Sequence, residues 1–293
     1  MALISARDRE ILRQRAQLQR EYASSQKNDI ILKKWQAQAE GRRDSPPVRF
    51  LGSNFRNEVV TPRLQCEGEQ ARGIEAGLLS TLVGRELFDD DTPISPTFNL
   101  SWHTHVRPFG LASKITRADG VNAKGFHIDP VINDLAAEID KLGGGSFGGD
   151  REGTARRCEL VEGLFGDILP VRMVMGSLSG GITNPLVHLM GMEAYYIAMF
   201  DCPDAVHEVM EMATQVYESY YDFLEDEKLL APTNGFAPLG QESFAFTDEL
   251  PTDSVTQTTQ CWGFLESQET TAVSADTFGE FVFPYQQRLV DRF

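Results

Sequence analysis

Cysteine is scarce and scattered in this chain: Cys66, Cys158, Cys202 and Cys261 stand far apart in 293 residues, and no CxxC pair occurs. That spacing excludes a compact disulfide framework and fits a reduced, cytoplasmic protein. Positive charge is also short. Lys and Arg number 27 against 43 Asp and Glu, for a net charge of −16. So acidic a surface repels polyphosphate, and nucleic acid is not expected as a partner. No run of 18 apolar residues occurs, so no membrane span is expected. The opening residues MALISARDREILRQRAQ carry no apolar core and do not read as a signal peptide. No internal repeat stands out.

What is present reads as alternating helices and strands. Residues 5–40 carry helical signals: Ser5 with Asp8 as a capping pair, then Ile11, Leu12, Leu18 and Tyr22 as a partial stripe. Asp29–Ala39 is a second helix, ended by Gly41 and the Pro46–Pro47 pair. Residues 1–45 therefore form an N-terminal helical extension, serving as a lid or as a contact in a homo-oligomer. Val48–Leu51 is a strand candidate, Leu64–Val83 a helix, and Thr97–Arg107 an alternating strand. Asp129–Pro130 has the form of a helix start, with that helix running to Leu142. The glycine-rich stretch 143–149 lacks a GK[ST] ending and reads as a turn rather than a phosphate loop.

Asp150 caps the next helix, which ends at Gly166. Val171–Met175 is a buried strand, followed by the small-residue loop 176–185. A long helix starts at Asp201–Cys202–Pro203, with apolar positions 206, 210, 213, 217, 220 and 224 at the 3.6 period. Residues 229–238 and 259–265 are the last strand candidates. Ser274 caps a final helix whose stripe of Phe278, Phe281, Tyr285 and Leu289 meets no stop signal before Phe293. The chain is read on that basis as lacking its C-terminal part. Strands alternating with helices imply parallel pairing through crossovers. The expected fold class is α/β, with its site in the irregular segments that follow the strands.

Two stretches carry a resemblance. Ile168–Gln215 is similar to the strand, glycine-rich turn and helix pair of the uroporphyrinogen decarboxylase superfamily, with Asp201, Pro203, Val206, His207 and Met210 on its D-x-P-x-x-V/L-H-x-x-M pattern. Trp262–Leu289 is similar through Ser274, Phe278, Phe281, Pro284 and Tyr285. The likeness spans roughly 45–293 and is strongest from residue 165. It implies an α/β, TIM-type (β/α)8 barrel, incomplete, over residues 46–293, of a kind whose enzymes decarboxylate porphyrinogens or transfer methyl groups involving a corrinoid carrier. The methyltransferases hold zinc through a His-x-Cys pair and a later Cys. No His-x-Cys occurs here, so the resemblance places any zinc ligands beyond residue 293. The decarboxylases carry an R-Q-A-G-R motif. The matching region has Arg49, Arg56 and Arg63 but not that motif.

The resemblance thus implies an enzyme of methyl (one-carbon) transfer acting on a small-molecule substrate, with a corrinoid protein as partner. The alternatives are a decarboxylase of a porphyrinogen or smaller carboxylate, and a non-catalytic barrel fragment or binding protein. The candidate catalytic residues are His103, His105 and Glu266. Two histidines two apart on a strand share a face about 7 Å apart. There they can grip a metal with a carboxylate or donate to a substrate oxygen, or simply sit at a solvated strand end. Glu266 and Glu269 follow the last strand, where a carboxylate can act as acid or base, or stand as one surface acid among many. Trp102 and Gln268 adjoin these residues at the mouth. Trp262 either lines a cavity or fills the core. Ser177, Ser179 and Asn184 can present hydroxyl, amide and backbone N–H groups to an anionic substrate group. Cys261 reads as a buried thiol, His127 as a loop histidine, and His188 and His207 as structural.

Overall fold

The computed structural model describes residues 4–42, 45–52, 54–117 and 125–293. In chain order the elements are α1 (Ala6–Ala23), α2 (Gln26–Ala39), α3 (Glu69–Leu87), β1 (Phe98–Leu100), β2 (Thr104–Arg107), β3 (Lys114–Arg117) and β4 (Phe126–Asp129). There follow α4 (Leu135–Glu138), β5 (Ser146–Gly149), α5 (Arg151–Phe165), β6 (Val171–Met173), β7 (Leu178–Ser179), α6 (Thr183–Met190) and α7 (Met192–Asp201). The last are α8 (Pro203–Asp226), β8 (Gly263–Phe264), α9 (Ala275–Phe281) and α10 (Phe283–Val290).

The expected (β/α)8 barrel is not formed. About 53% of the structure is helical, and no barrel closes. Among the described residues the strands, two to four residues long, make four separate two-stranded sheets: β1–β6, β2–β5, β3–β4 and β7–β8. Closure needs one unbroken ladder passing round all strands. The first and last of these pairs are parallel, and the middle two are antiparallel. Two strand candidates fail for identifiable reasons. The Val48 and Phe50 N–H groups donate to the carboxylates of Asp91 (2.9 Å) and Asp90 (3.0 Å) instead of to a neighbouring strand. Residues 229–238 contain Pro232 and Pro238, which bring no N–H to a ladder. The Pro232 carbonyl accepts from Met175 N (3.1 Å), but no ladder develops there.

The chain divides into two compact units. Unit 1 is Met1–His103, Asp150–Gly176 and Ala231–Ser254; unit 2 is Thr104–Gly149, Ser177–Leu230 and Val255–Phe293.

In unit 1, α1 packs on α3 and α5. Leu12, Ala16, Ile74, Leu78, Val161 and Phe165 form one buried cluster with the β1 residues Phe98 and Leu100. Ser5 caps α1 as the sequence predicts, accepting from Asp8 N (3.0 Å). Helix α3 starts at Gly68, which has no side chain to cap it. Asp8 supplies the missing acceptor from α1, taking bonds from the N–H groups of Glu67 (2.9 Å) and Gly68 (3.0 Å). The aspartate loop 89–91 acts as a latch. Asp89 pairs with Lys27, and Asp91 with Lys34.

The bond from Glu67, ahead of that from Gly68, holds the Asp8 carboxyl below its usual value. A depressed carboxylate contributes stability that is complete above its unfolded value, near pH 3.9, and disappears as pH falls through the lower folded value. Thermal midpoints measured down a pH series should therefore fall below about pH 4, and Asp8→Asn should flatten part of that fall. An unchanged slope in the variant would remove Asp8 from the account.

In unit 2, α8 carries the long apolar stripe predicted for it, with Val206, Met210, Ala213, Tyr217 and Leu224 buried. The glycine-rich stretch is not only a turn. Ser146–Gly149 pairs antiparallel with β2, matching His105 to Gly148. A β-carbon on Gly145 would stand 2.5 Å from the Pro108 carbonyl oxygen, so backbone runs against backbone there. The helix expected from Asp129 is replaced. Residues 126–129 are β4, and Asp134 caps the short α4. The final helix is two helices, broken at Val282 (φ −127°), because Pro284 is tolerated only in a first turn.

Candidate functional site

The site is built inside unit 2, where β7 and β8 lie parallel with Leu178 opposite Gly263 and Ser179 opposite Phe264. The Leu178 N–H reaches the Trp262 carbonyl (2.8 Å) and extends that ladder. A parallel pair delivers the loops after both strands to the same end. The chain past Ser179 becomes the turn into α6, and the chain past Phe264 becomes residues 265–270. These two segments meet through side chains. Glu269, 9% exposed, accepts from Asn184 Nδ2 (2.6 Å) and from the Thr183 hydroxyl (3.0 Å). The Thr183 and Ser267 hydroxyls are 3.1 Å apart, and the Thr270 hydroxyl donates to the Ser267 carbonyl (2.8 Å).

Helix α7 closes the site from the side. The Tyr196 hydroxyl donates to the Glu269 backbone carbonyl. Tyr195 is fully buried, and its hydroxyl has no hydrogen-bond partner. Burial first, and then the Glu269 charge, push the Tyr195 phenol well above its usual value, so it keeps its proton. The arrangement is thus a buried carboxylate gripped by an amide and a hydroxyl. Each carboxylate oxygen has a second lone pair, so the grip leaves acceptor capacity.

The predicted site residues fall on both units. Trp102 and His103 belong to unit 1. The Arg151 guanidinium lies 5.7 Å from the Trp102 ring centre, and the His103 backbone meets the start of α5 through Asp150 N (2.8 Å) and Thr154 Oγ1 (3.2 Å). His105 belongs to unit 2, exposed on β2, with its ring over Gly148, where a β-carbon would come within 3.0 Å of Cε1. Ser177, Ser179, Asn184, Trp262, Glu266 and Gln268 all lie in unit 2. Asn184 joins Glu269. Glu266 accepts from Gln268 Nε2 (2.9 Å), and its backbone carbonyl from Gln286 Nε2 (3.1 Å). The Ser179 carbonyl accepts from the Tyr221 hydroxyl (3.0 Å). Trp262 is 36% exposed.

Cys261 is a buried thiol, pushed up to about 12 by burial and then by Glu225. No group of three or more His, Cys, Asp and Glu side chains among the described residues is disposed to hold a metal. The described residues therefore do not fit a zinc site. Sequence reasoning missed Thr183, Ser267 and the Tyr195–Tyr196 pair. Their contacts span 73 to 86 residues for Thr183 and Tyr196, and no local pattern records such contacts.

The stretches 168–215 and 262–289 touch each other. His207 Nδ1 and the Tyr285 hydroxyl are 2.9 Å apart, and the His207 ring stacks on Phe281 at 4.8 Å. Arg288 of α10 reaches Glu211 (2.5 Å) and Glu218 (2.7 Å) of α8. These contacts dock α9 and α10 on α8. No protein-family model, no curated protein and no solved structure matches this chain. Among the described residues no helix is long and apolar enough to cross a membrane.

Proposed function

We propose that this chain works in methyl (one-carbon) transfer, with a corrinoid protein as the methyl donor, and that Glu269 serves the acceptor substrate. The reading rests on the resemblance of residues 168–215 and 262–289 to the uroporphyrinogen decarboxylase superfamily. The observation that carries it is the Asn184–Glu269 hydrogen bond (2.6 Å), which joins one resembling stretch to the other beyond a parallel strand pair. The corrinoid would supply the methyl group and keep the electron pair of the bond that breaks. Asn184 and Thr183 orient the Glu269 carboxylate. Its remaining lone pairs accept the proton that a thiol acceptor releases as its sulfur takes the methyl group.

The test is loss of methylcobalamin absorbance with 2-mercaptoethanol as acceptor. Turnover above the protein-free rate is expected, and Glu269→Gln should lower it about 10²–10⁴-fold. Glu266→Gln, whose carboxylate engages Gln268, should leave it within about twofold. Absence of turnover by protein shown folded by circular dichroism would overturn the reading, as would a Glu269→Gln enzyme at full rate.

A second reading, decarboxylation of a carboxylate-bearing substrate, draws on a separate cleft in unit 1. That cleft, about 580 Å³, is lined by Arg56, Arg156 and Arg157, and guanidinium groups gathered in this way suit carboxylates. Release of CO₂ from uroporphyrinogen without consumption of methylcobalamin would move the assignment to this reading.

A further inference from the structure

The cleft of unit 1 gathers positive charge in a chain whose net charge is −16. It measures about 580 Å³ and lies between α3 and α5, with Arg56 joining from the segment before α3. Helix α5 supplies Arg156 and Arg157. Ile74 of α3 and Leu160 of α5 add apolar surface. Among the described residues no Asp or Glu lines this space. All three arginines are exposed, so a solute reaches them from water.

The charges there do not cancel. Of the acids at the start of α5, Glu152 pairs with Arg156 at 3.4 Å. Asp150 caps the helix, accepting from Gly153 N (2.8 Å), so its charge falls on the positive end of the helix dipole. Among the described residues, Arg56 and Arg157 have no ion pair and no side-chain hydrogen bond. Two guanidinium charges are therefore left over, and both are open to solvent. The space above α3 is also unfilled. Gly73 and Gly77 line the cleft from successive turns, and a β-carbon on either would meet nothing within 4 Å. Glycine inside a helix is destabilising relative to alanine, and packing gives no reason for it at these two places.

We propose that this cleft binds a small phosphate monoester, with the phosphate on Arg56 and Arg157 and the organic group against Ile74, Leu160 and the two glycines. A phosphate monoester carries nearly two negative charges at neutral pH and presents three acceptor oxygens at one point. That charge matches the two unpaired guanidinium groups, whose planar forks suit phosphate oxygens. A single carboxylate brings one charge and leaves one guanidinium unmet. The volume lies within the range of small-molecule sites, roughly 300–1,000 Å³, so the cleft takes more than the phosphate itself. The apolar floor then favours an ester over the free ion, because the organic group leaves water there. The assignment concerns binding alone, and neither methyl transfer in unit 2 nor release of CO₂ enters it.

Calorimetric titration of the full chain at about pH 7.5, where the ester is doubly charged, tests this with four probes: phenyl phosphate, phenyl sulfate, inorganic phosphate and isophthalate. Phenyl sulfate has the same shape with one charge. Inorganic phosphate has the charge without the ring, and isophthalate divides two charges between two carboxylates. Phenyl phosphate should bind in the millimolar range or tighter and exceed each of the others by at least about tenfold. Arg56→Met and Arg157→Met should each weaken it about tenfold or more. Gly77→Leu should abolish it while the thermal midpoint holds or rises, because leucine fills empty space and replaces a helical glycine. Phenyl sulfate or inorganic phosphate binding as tightly as phenyl phosphate would overturn the proposal. So would binding of none of the probes, or undiminished binding to a folded Gly77→Leu chain. Isophthalate binding as tightly would also overturn it, and would return the cleft to a carboxylate substrate.

Discussion

Glu75→Leu is expected to destabilise unit 1 by about 3–5 kcal/mol, the cost of breaking a buried charged network from one side. Glu75 is completely buried in α3, and its carboxylate accepts from Gln65 N (2.9 Å) and Cys66 N (2.8 Å), with Arg15 Nε 3.7 Å away. Leucine matches the glutamate in bulk, so the loss is not a cavity. It is the desolvation of two backbone N–H groups and of Arg15 Nε, which already lacks a hydrogen-bond acceptor. The measurement is the urea midpoint, with the slope unchanged so that the shift reports stability. Glu67→Leu is the control, because that side chain is 72% exposed and exposed ion pairs contribute little. Equal midpoints for the two variants would show that the carboxylate does not tie the 65–66 segment to α3.

Phe165→Ala should cost about 3–5 kcal/mol by a different route, the loss of apolar burial together with the hole left behind. Phe165 ends α5 with no exposed surface and meets Phe98 of β1 edge-on, with centroids 5.4 Å apart. It joins side chains from α1, α3 and β1 in one cluster, so local collapse cannot refill its volume. Phe200→Ala removes the same atoms from a side chain that is 77% exposed and should fall within about 0.5 kcal/mol of the parent. If both variants melt together, Phe165 is not the keystone of this core. The contrast also separates packing loss from any general effect of removing a ring.

Legibility from sequence followed the range of the interaction. The caps at Ser5, Asp150 and Ser274 were readable, because a cap is completed within about three residues. So were the bounds of α5 and the buried stripe of α8, which repeat at the helical period. Cys261, read as a buried thiol because no neighbour in sequence supplies positive charge, is buried. The sheets did not follow. Alternation of strands and helices was read as parallel pairing, yet β2 pairs with β5 and β3 with β4 antiparallel, and among the described residues no ladder passes two strands. Glycine in 146–149 disguised a strand as a turn because its reason lay across the ladder, where Gly148 makes room for the His105 ring.

The candidate site divides along the same line. Asn184 and the acidic segment 266–269 were visible as polar residues in loops that follow strands. That Glu269 rather than Glu266 takes the Asn184 amide was decided by tertiary structure alone, through a contact 85 residues long in sequence. Cap chemistry and helical periodicity were determined by the sequence by itself, because neighbouring residues complete those bonds. Strand partners, the Asp8 cap on α3, the Glu75 network and the gripped carboxylate were set only by the folded chain. Each of those needs an acceptor delivered from elsewhere in the chain, and nothing in the local pattern specifies which one arrives.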